Sequence, residues 1–195
     1  MARRTAFVLL LLSLFCIISL AAATARSTDT SFIKNSCRST SYPALCVQSL
    51  SAYATSIQQS PRQLALTALS VSLSRAQSAN TFVIKMNKFR NLKSREYEAI
   101  ADCLDEMGDT VDRLSKSFEE LKHMGQNKGQ EFLWHMSNVQ TWVSAALTDD
   151  NTCLDGFSGK ALEGKVKSSV RAQVVNVAQV TSNALALVNR FASKH

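Results

Sequence analysis

The sequence predicts an all-α fold, an up-down-up-down four-helix bundle with an N-terminal helical hairpin and two disulfides. Three observations carry this expectation. Four separate stretches place apolar residues at alternating steps of three and four, the spacing of one face of a helix. From Arg62 to Met107 there is neither glycine nor proline, so nothing local interrupts a long helix. Strand signals are missing: there is no sustained alternation, and the one candidate turn, Asp155-Gly156, stands between helical patterns.

Taken in order, the chain begins like an exported precursor. Arg3 and Arg4 form a positive start, and Phe7 to Leu20 is apolar apart from two serines and a cysteine. That run is too short for a good membrane span, and Ala23-Thr24-Ala25 supplies the small residues a signal peptidase reads. Cleavage is expected after Ala25, with Ala23 the next choice. No second long apolar run follows, so no membrane attachment is expected once the signal is removed. The expected division is a signal peptide over 1–25, a helical hairpin extension over 26–58 and a bundle domain over 59–195. About 170 residues are enough for one domain with its own core.

In the extension, Phe32 and Ile33 precede Cys37, and Tyr42-Pro43 breaks the helix because a residue before proline avoids helical backbone angles. Pro43 then opens a second short helix through Cys46, Leu50 and Tyr53. Ser60-Pro61 is a helix start, a serine cap followed by proline in the first turn. The first bundle helix has a seam of Leu66, Leu69, Leu73, Ala76, Asn80 and Val83, with Asn80 a candidate for setting register. The pattern weakens between Asn91 and Arg95, where the turn is placed. The central helix follows to about Leu121, with its seam at Tyr97, Ile100, Leu104, Met107, Val111, Leu114, Phe118 and Leu121. Cys103 lies beside that seam. Gly125 to Gly129 reads as a loop. The third helix starts near Gln130 and turns Phe132, Met136, Val139, Val143 and Ala146 inward, with Trp134 and Trp142 at its flanks. It is expected to end by Thr148, leaving Asp149 to Gly159 as a polar connection. The fourth starts near Ala161 and buries Val170, Val174, Val177, Thr181, Ala184, Val188 and Phe191.

Loss of the signal removes Cys16 and leaves Cys37, Cys46, Cys103 and Cys153 in an oxidising compartment, which reads as two disulfides. Three pairings are open. Cys37–Cys46 with Cys103–Cys153 is favoured, one local and one joining distant segments. By loop closure they contribute ~2.7 and ~4 kcal/mol. No pair has the close spacing of structural zinc ligands. Loss of Arg3 and Arg4 from the 22 basic residues leaves 20 against 15 acidic ones, a net charge of +5.

Catalytic motifs are missing. The sequence holds no Gly-x-Ser-x-Gly, no phosphate-binding glycine loop, no His-Glu-x-x-His and no Glu-x-x-His pair. His123 and His195 read as solvated, and His135 as a packing residue in an interhelical groove. No cofactor or metal is expected, and a binding module is favoured over an enzyme. Two charged clusters remain. Lys85, Lys88, Arg90, Lys93 and Arg95 surround the first bundle turn, either as a solvated helix end or as an attractor for an external polyanion. Nothing resembles a nucleic-acid reading motif. Asp105, Asp109 and Asp112 form an acidic ridge with Asp102, Glu98 and Glu119 nearby. The bland reading is a solvated face. The functional reading is a docking surface, because the protein is otherwise basic and aspartate is a poor helix former. A Cys103–Cys153 bond would also bring Asn151, Thr152 and Asp155 beside the ridge, giving acceptors for a partner's cations and amides.

Several stretches carry a family likeness: Cys37-Arg-Ser-Thr-Ser-Tyr-Pro-Ala-Leu-Cys46, Asp102-Cys103-Leu104-Asp105 leading to Val111-Asp112-Arg113-Leu114, Val139-Gln-Thr-Trp142-Val-Ser-Ala-Ala-Leu147, and Asn151-Thr-Cys-Leu-Asp-Gly156. Together they resemble the plant invertase and pectin methylesterase inhibitor family over essentially the whole mature chain. The resemblance implies a four-helix bundle with a helical hairpin, disulfides in first–second and third–fourth order, and secretion to the plant apoplast and cell wall. It also implies that Asp105, Asp109, Asp112, Thr152 and Asp155 fall where members contact pectin methylesterase, covering its pectin-binding cleft in a one-to-one complex. Members that inhibit acid invertase carry Pro-Lys-Phe shortly before the last cysteine. Here that region reads Trp142-Val-Ser-Ala-Ala-Leu-Thr148, which favours pectin methylesterase as target over invertase. Similar bundles serve as pro-regions of the enzymes; with no catalytic domain after the bundle, a free-standing inhibitor is expected. A non-inhibitory protein bound to wall polyanions is the alternative from another class.

Overall fold

The computed structural model describes residues 28–89, 92–125, 128–159 and 162–194. The expected signal peptide with its cleavage site, Arg90 of the basic cluster, Asn91 at the expected first turn, Ala161 at the expected start of the last helix and His195 lie outside the described residues. Among those described there are helices and turns and no strand. A first helix, α1, occupies 28–37. It is followed by α2 (Pro43–Leu50), a single tight turn at Ser51–Tyr53, α3 (Ala54–Ile57), α4 (Pro61–Asn87), α5 (Ser94–His123), α6 (Gly129–Gly156) and α7 (Lys165–Ala192). The four long helices pack α4 on α5 and α7, and α6 on α5 and α7, which closes a bundle.

Local chemistry accounts for the boundaries. Pro43 stands in the first turn of α2, and Pro61 in that of α4. The Ser60 hydroxyl accepts the Gln63 N–H at 3.3 Å, so the α4 start is capped as its serine suggests. Gln58 and Gln59 both take left-handed backbone angles, φ 47° and 58°, which ends α3 and turns the chain into α4. At the start of α7, Gly164 has φ 149°, a conformation that favours glycine. That start lies at Lys165, four residues later than the spacing suggested.

The arm formed by α1 to α3 lies against α4 and α7 and adds Ile33, Leu50 and Ile57 to the core. Its first two helices, α1 and α2, are joined by Cys37–Cys46, with Cα atoms 5.7 Å apart. Asn183 on α7 holds the bend between them: its Oδ1 accepts the Tyr42 N–H and its Nδ2 donates to the Tyr42 carbonyl, each at 3.0 Å. Arg190 donates to the Ser36 carbonyl at 3.3 Å.

The inward faces of α6 and α7 are those the periodicity indicates, and every residue expected there is buried. In α4 and α5 the buried stripe is rotated from the expected one. The fully buried line of α5 is Ile100, Cys103, Met107, Thr110, Leu114, Ser117 and Leu121. Leu104, Val111 and Phe118 are half-buried beside it, and Tyr97 is exposed. In α4 the line is Ala65, Leu69, Ser72, Ala76, Ala79 and Val83, with Leu73 and Asn80 at its edge. Cys103 is therefore within the seam and not beside it. The cause is steric. Alanine, serine, threonine and a bonded cysteine at the deepest positions let neighbouring helices approach, while bulkier side chains cover the flanks. Each fully buried leucine or methionine on these lines still contributes roughly 1.5–3 kcal/mol through the area it removes from water.

Candidate functional site

The largest departure from the sequence reading lies at the end of α6. The stretch from Asp149, expected as a polar connection, continues the helix to Gly156. Its polar side chains are used by the helix and by its neighbours. The Asn151 amide donates to the Leu147 carbonyl at 2.8 Å, and the Thr152 hydroxyl to the Thr148 carbonyl at 3.0 Å. Cys153 is bonded to Cys103, with Cα atoms 4.3 Å apart, which presses this last turn onto the beginning of α5. Tertiary contacts thus overrule weak helix propensity.

The juxtaposition creates a groove of about 400 Å³ between α5 and α6, lined by Asp102, Asp105 and Glu106 on one side and by Thr152, Asp155 and Gly156 on the other. Its floor is the Cys103–Cys153 bridge. Three of the five residues singled out from the sequence, Asp105, Thr152 and Asp155, therefore meet in one place. Asp109 and Asp112 are exposed further along α5, outside the groove. Asp109 is engaged by Arg113 at 3.1 Å, whereas Asp112 stands on the open surface. Among the described residues no cluster of histidine, cysteine and carboxylate side chains is arranged to hold a metal ion.

Sequence reasoning missed the carboxylates directly behind this surface. Asp149 is 7% exposed and Asp150 fully buried. Arg113 reaches Asp149 through Nε at 2.8 Å, so Asp109, Arg113 and Asp149 form a relay from the ridge inward. Burial pushes the Asp149 carboxyl up to about 6 against the pull of Arg113, and Glu106 and Asp109 raise it further. Asp150 is pushed up to about 7, again chiefly by burial, with the Thr110 hydroxyl opposing and Asp149 adding to the rise. Thr110 Oγ1 lies 3.0 Å from Asp150 Oδ1 and 3.3 Å from the Ala146 carbonyl, and its single proton serves only one of them well. The available sequence cue was Asp149-Asp150 lying one and two turns beyond the inward Ala146 and Val143, in phase with the buried face.

On the opposite half of the α5–α6 contact, His135 Nδ1 lies 2.7 Å from Glu120 Oε1, and the Asn138 amide donates to the same oxygen at 3.1 Å. Burial raises the Glu120 carboxyl, but these two partners outweigh it and hold it below its ordinary value. His135 is thus a half-buried bridge between helices, and its role is structural. The basic cluster lies at the same end of the bundle as the groove. Lys85 and Lys88 end α4, Lys93 and Arg95 begin α5, and all four are exposed.

The chain is a disulfide-clamped helical bundle that presents an acidic groove. The sequence profile of the plant invertase/pectin methylesterase inhibitor family matches residues 31–187, and the chain belongs to that family. It is 60% identical over 179 residues to a 21 kDa protein of Daucus carota, covering 92% of each chain. It is 54% identical over 165 residues to pectinesterase inhibitor 11 of Arabidopsis thaliana, covering 84% of this chain and 82% of that one. A crystal structure of a mutant form of a pectin methylesterase inhibitor from Arabidopsis matches with a TM-score of 0.64 at 24% identity, over 78% of this chain and 92% of that one. That likeness identifies the same fold.

Proposed function

We propose that this protein is a secreted inhibitor of plant pectin methylesterase, not itself an enzyme, which blocks the pectin-binding cleft in a one-to-one complex and so modulates pectin de-esterification in the cell wall. The observation that carries this reading is the groove that gathers Asp105, Thr152 and Asp155 on two helices stapled at its floor. Rigid carboxylates and a hydroxyl on the rim of a packed core suit a partner's lysines, arginines and backbone amides, because ordering them costs little at binding. Asp109 and Asp112 extend the acidic surface along α5 and would steer a partner surface that carries cations. Family membership and the name of the Arabidopsis relative support the same target. The missing Pro-Lys-Phe motif argues against acid invertase.

Charge reversal and steric block test the surface. Asp109→Arg and Thr152→Trp are both exposed substitutions and should leave the helical circular-dichroism signal intact. Each is expected to raise the concentration needed for half-inhibition by roughly tenfold or more, the loss of about 1.4 kcal/mol or more at a charged interface. Full inhibition by both variants would remove the assigned surface.

A second reading is favoured by the net charge of +7, which would be +5 without residues 1–25, and concerns retention in the wall. Lys85, Lys88, Arg90, Lys93 and Arg95 would hold the chain on acidic pectin, concentrating an inhibitor where its target works. Retention on pectate that falls with salt and with neutralisation of these cations is the expected result; salt-independent retention would contradict it.

A further inference from the structure

At the turn between α4 and α5 three large apolar side chains are left in solvent: Ile84 at 38% exposure, Phe89 at 60% and Tyr97 at 52%. They alternate with the exposed cations Lys85, Lys88, Lys93 and Arg95. Their backbone is held by the helix ends, the Phe89 N–H donating to the Met86 carbonyl at 3.1 Å and the Tyr97 N–H to the Lys93 carbonyl at 2.9 Å. Helix electrostatics explains only half of the cations. Lys85 and Lys88 sit at the C-terminal end of α4, where positive charge is favoured, but Lys93 and Arg95 sit at the N-terminal end of α5, where it is opposed. None of the four takes part in an ion pair among the described residues. Of the carboxylates beside them, Glu96 accepts the Lys93 N–H at 2.9 Å and Glu98 is exposed. Lys93 and Arg95 are thus placed against the helix dipole beside two exposed aromatic rings.

We propose that this end of the bundle is a binding surface for an acidic polysaccharide, in which Phe89 and Tyr97 lie against the apolar faces of successive sugar rings while Lys85, Lys88, Lys93 and Arg95 pair with their carboxylates. The occupant follows from complementarity: a ligand that answers both sets of groups is a polyanion whose repeating unit also has a flat C–H face, and a uronate chain has both. The inference rests on the wall-retention reading and adds recognition of the ring to attraction by charge. It also gives the retention a direction. Tyr97 precedes Asp105 by eight residues of one helix, about 12 Å of rise, so a bound uronate chain would run close to the acidic groove and be repelled from it. De-esterified pectin is the product of the enzyme the groove is read to block. The surface would therefore gather the inhibitor on stretches where that enzyme has already worked, leaving the groove open for it.

The test is direct binding, without any enzyme. The mature chain is titrated calorimetrically at fixed ionic strength with fully de-esterified oligogalacturonate, its methyl-esterified counterpart and polyglutamate of matched charge. Tightest binding to the de-esterified sugar is expected. In Phe89→Ala/Tyr97→Ala it should fall by roughly fivefold or more, the loss of two aromatic contacts, with polyglutamate binding unchanged. Lys93→Gln/Arg95→Gln should weaken both polyanions and flatten the salt dependence. If the cation variant leaves pectate retention unaltered, the retention reading itself fails. If it responds but the aromatic variant binds like the parent, only ring recognition fails. Equal affinity for polyglutamate, or tighter capture by anionic lipid vesicles or duplex DNA, would likewise overturn the proposal.

Discussion

Asp150 has no access to solvent, accepts from the Thr110 hydroxyl, has the Thr181 hydroxyl acting on it as well and sits beside a second carboxylate. Its carboxyl is raised from the ordinary 3.8 to about 7, and that of Asp149 to about 6. Because both folded values lie above the unfolded ones, the native state keeps protons that the unfolded chain releases between about pH 4 and 7. Stability is therefore greatest below about pH 4 as far as these groups are concerned, falls as pH rises through that window, and levels off above it. By linkage at ~1.36 kcal/mol per pH unit, the two rises amount to at most about 7 kcal/mol, the larger share from Asp150, read from urea unfolding at a series of pH values. Asp150→Asn removes the larger part of the slope, since the amide stays neutral throughout, and at pH 7.5 the variant should match or exceed the parent in stability. A slope unchanged by this substitution would mean that Asp150 is ionised in the fold.

At the scale of elements, α5 and α6 show where periodicity was informative and where it was blind. The 3-4 spacing located both helices: turns containing glycine follow α5 and flank α6, whereas the turn before α5 shows only as a weakening of the pattern. It misplaced the deepest line of α5 by one residue, since hydrophobicity favours Leu104, Val111 and Phe118 over Cys103, Thr110 and Ser117. Closeness of approach between helices is a property of the pair, and no single helix records it. Ser117→Leu tests the assignment: overpacking the buried line should cost about 1–3 kcal/mol, whereas Val111→Leu at the half-buried edge should cost less than about 1 kcal/mol. The last turn of α6 was hidden for a related reason. Asp149 to Asp155 reads as a loop until the bonds to Arg113, Thr110 and Cys103 are in place. Of the candidate site, Asp105, Thr152 and Asp155 were legible through the disulfide, whereas Asp149 and Asp150 were not, because their partners lie 36 or more positions away. Replacing both Cys103 and Cys153 by alanine is expected to lower stability by about 2–4 kcal/mol and to weaken inhibition, although every residue of the groove rim is retained. Unchanged inhibition at unchanged helicity would mean that the rim needs no clamp.

The whole molecule is a bundle with an arm on one side and opposite charges side by side at one end. The arm depends on few polar contacts, of which the paired bonds between Asn183 and Tyr42 are the most specific. Asn183→Ala leaves both Tyr42 backbone groups without that partner and should cost about 1–3 kcal/mol, with faster amide exchange over 28–57 than over α5 and α6. Equal exchange rates in the two regions would show the arm to be held by its apolar contacts alone. The charged end divides the labour: the groove on α5 and α6 is acidic, while the α4–α5 turn is basic. The two surfaces answer different partners, a protein and a polysaccharide. The central claim concerns the first, and it is tested most directly by titrating purified, oxidised residues 26–195 against a plant pectin methylesterase and, in parallel, an acid invertase. Stoichiometric loss of methylesterase activity, reaching its end point near one inhibitor per enzyme with invertase unaffected, is the predicted result. Loss of invertase activity alone, or no effect on either enzyme across several isoforms, would contradict it.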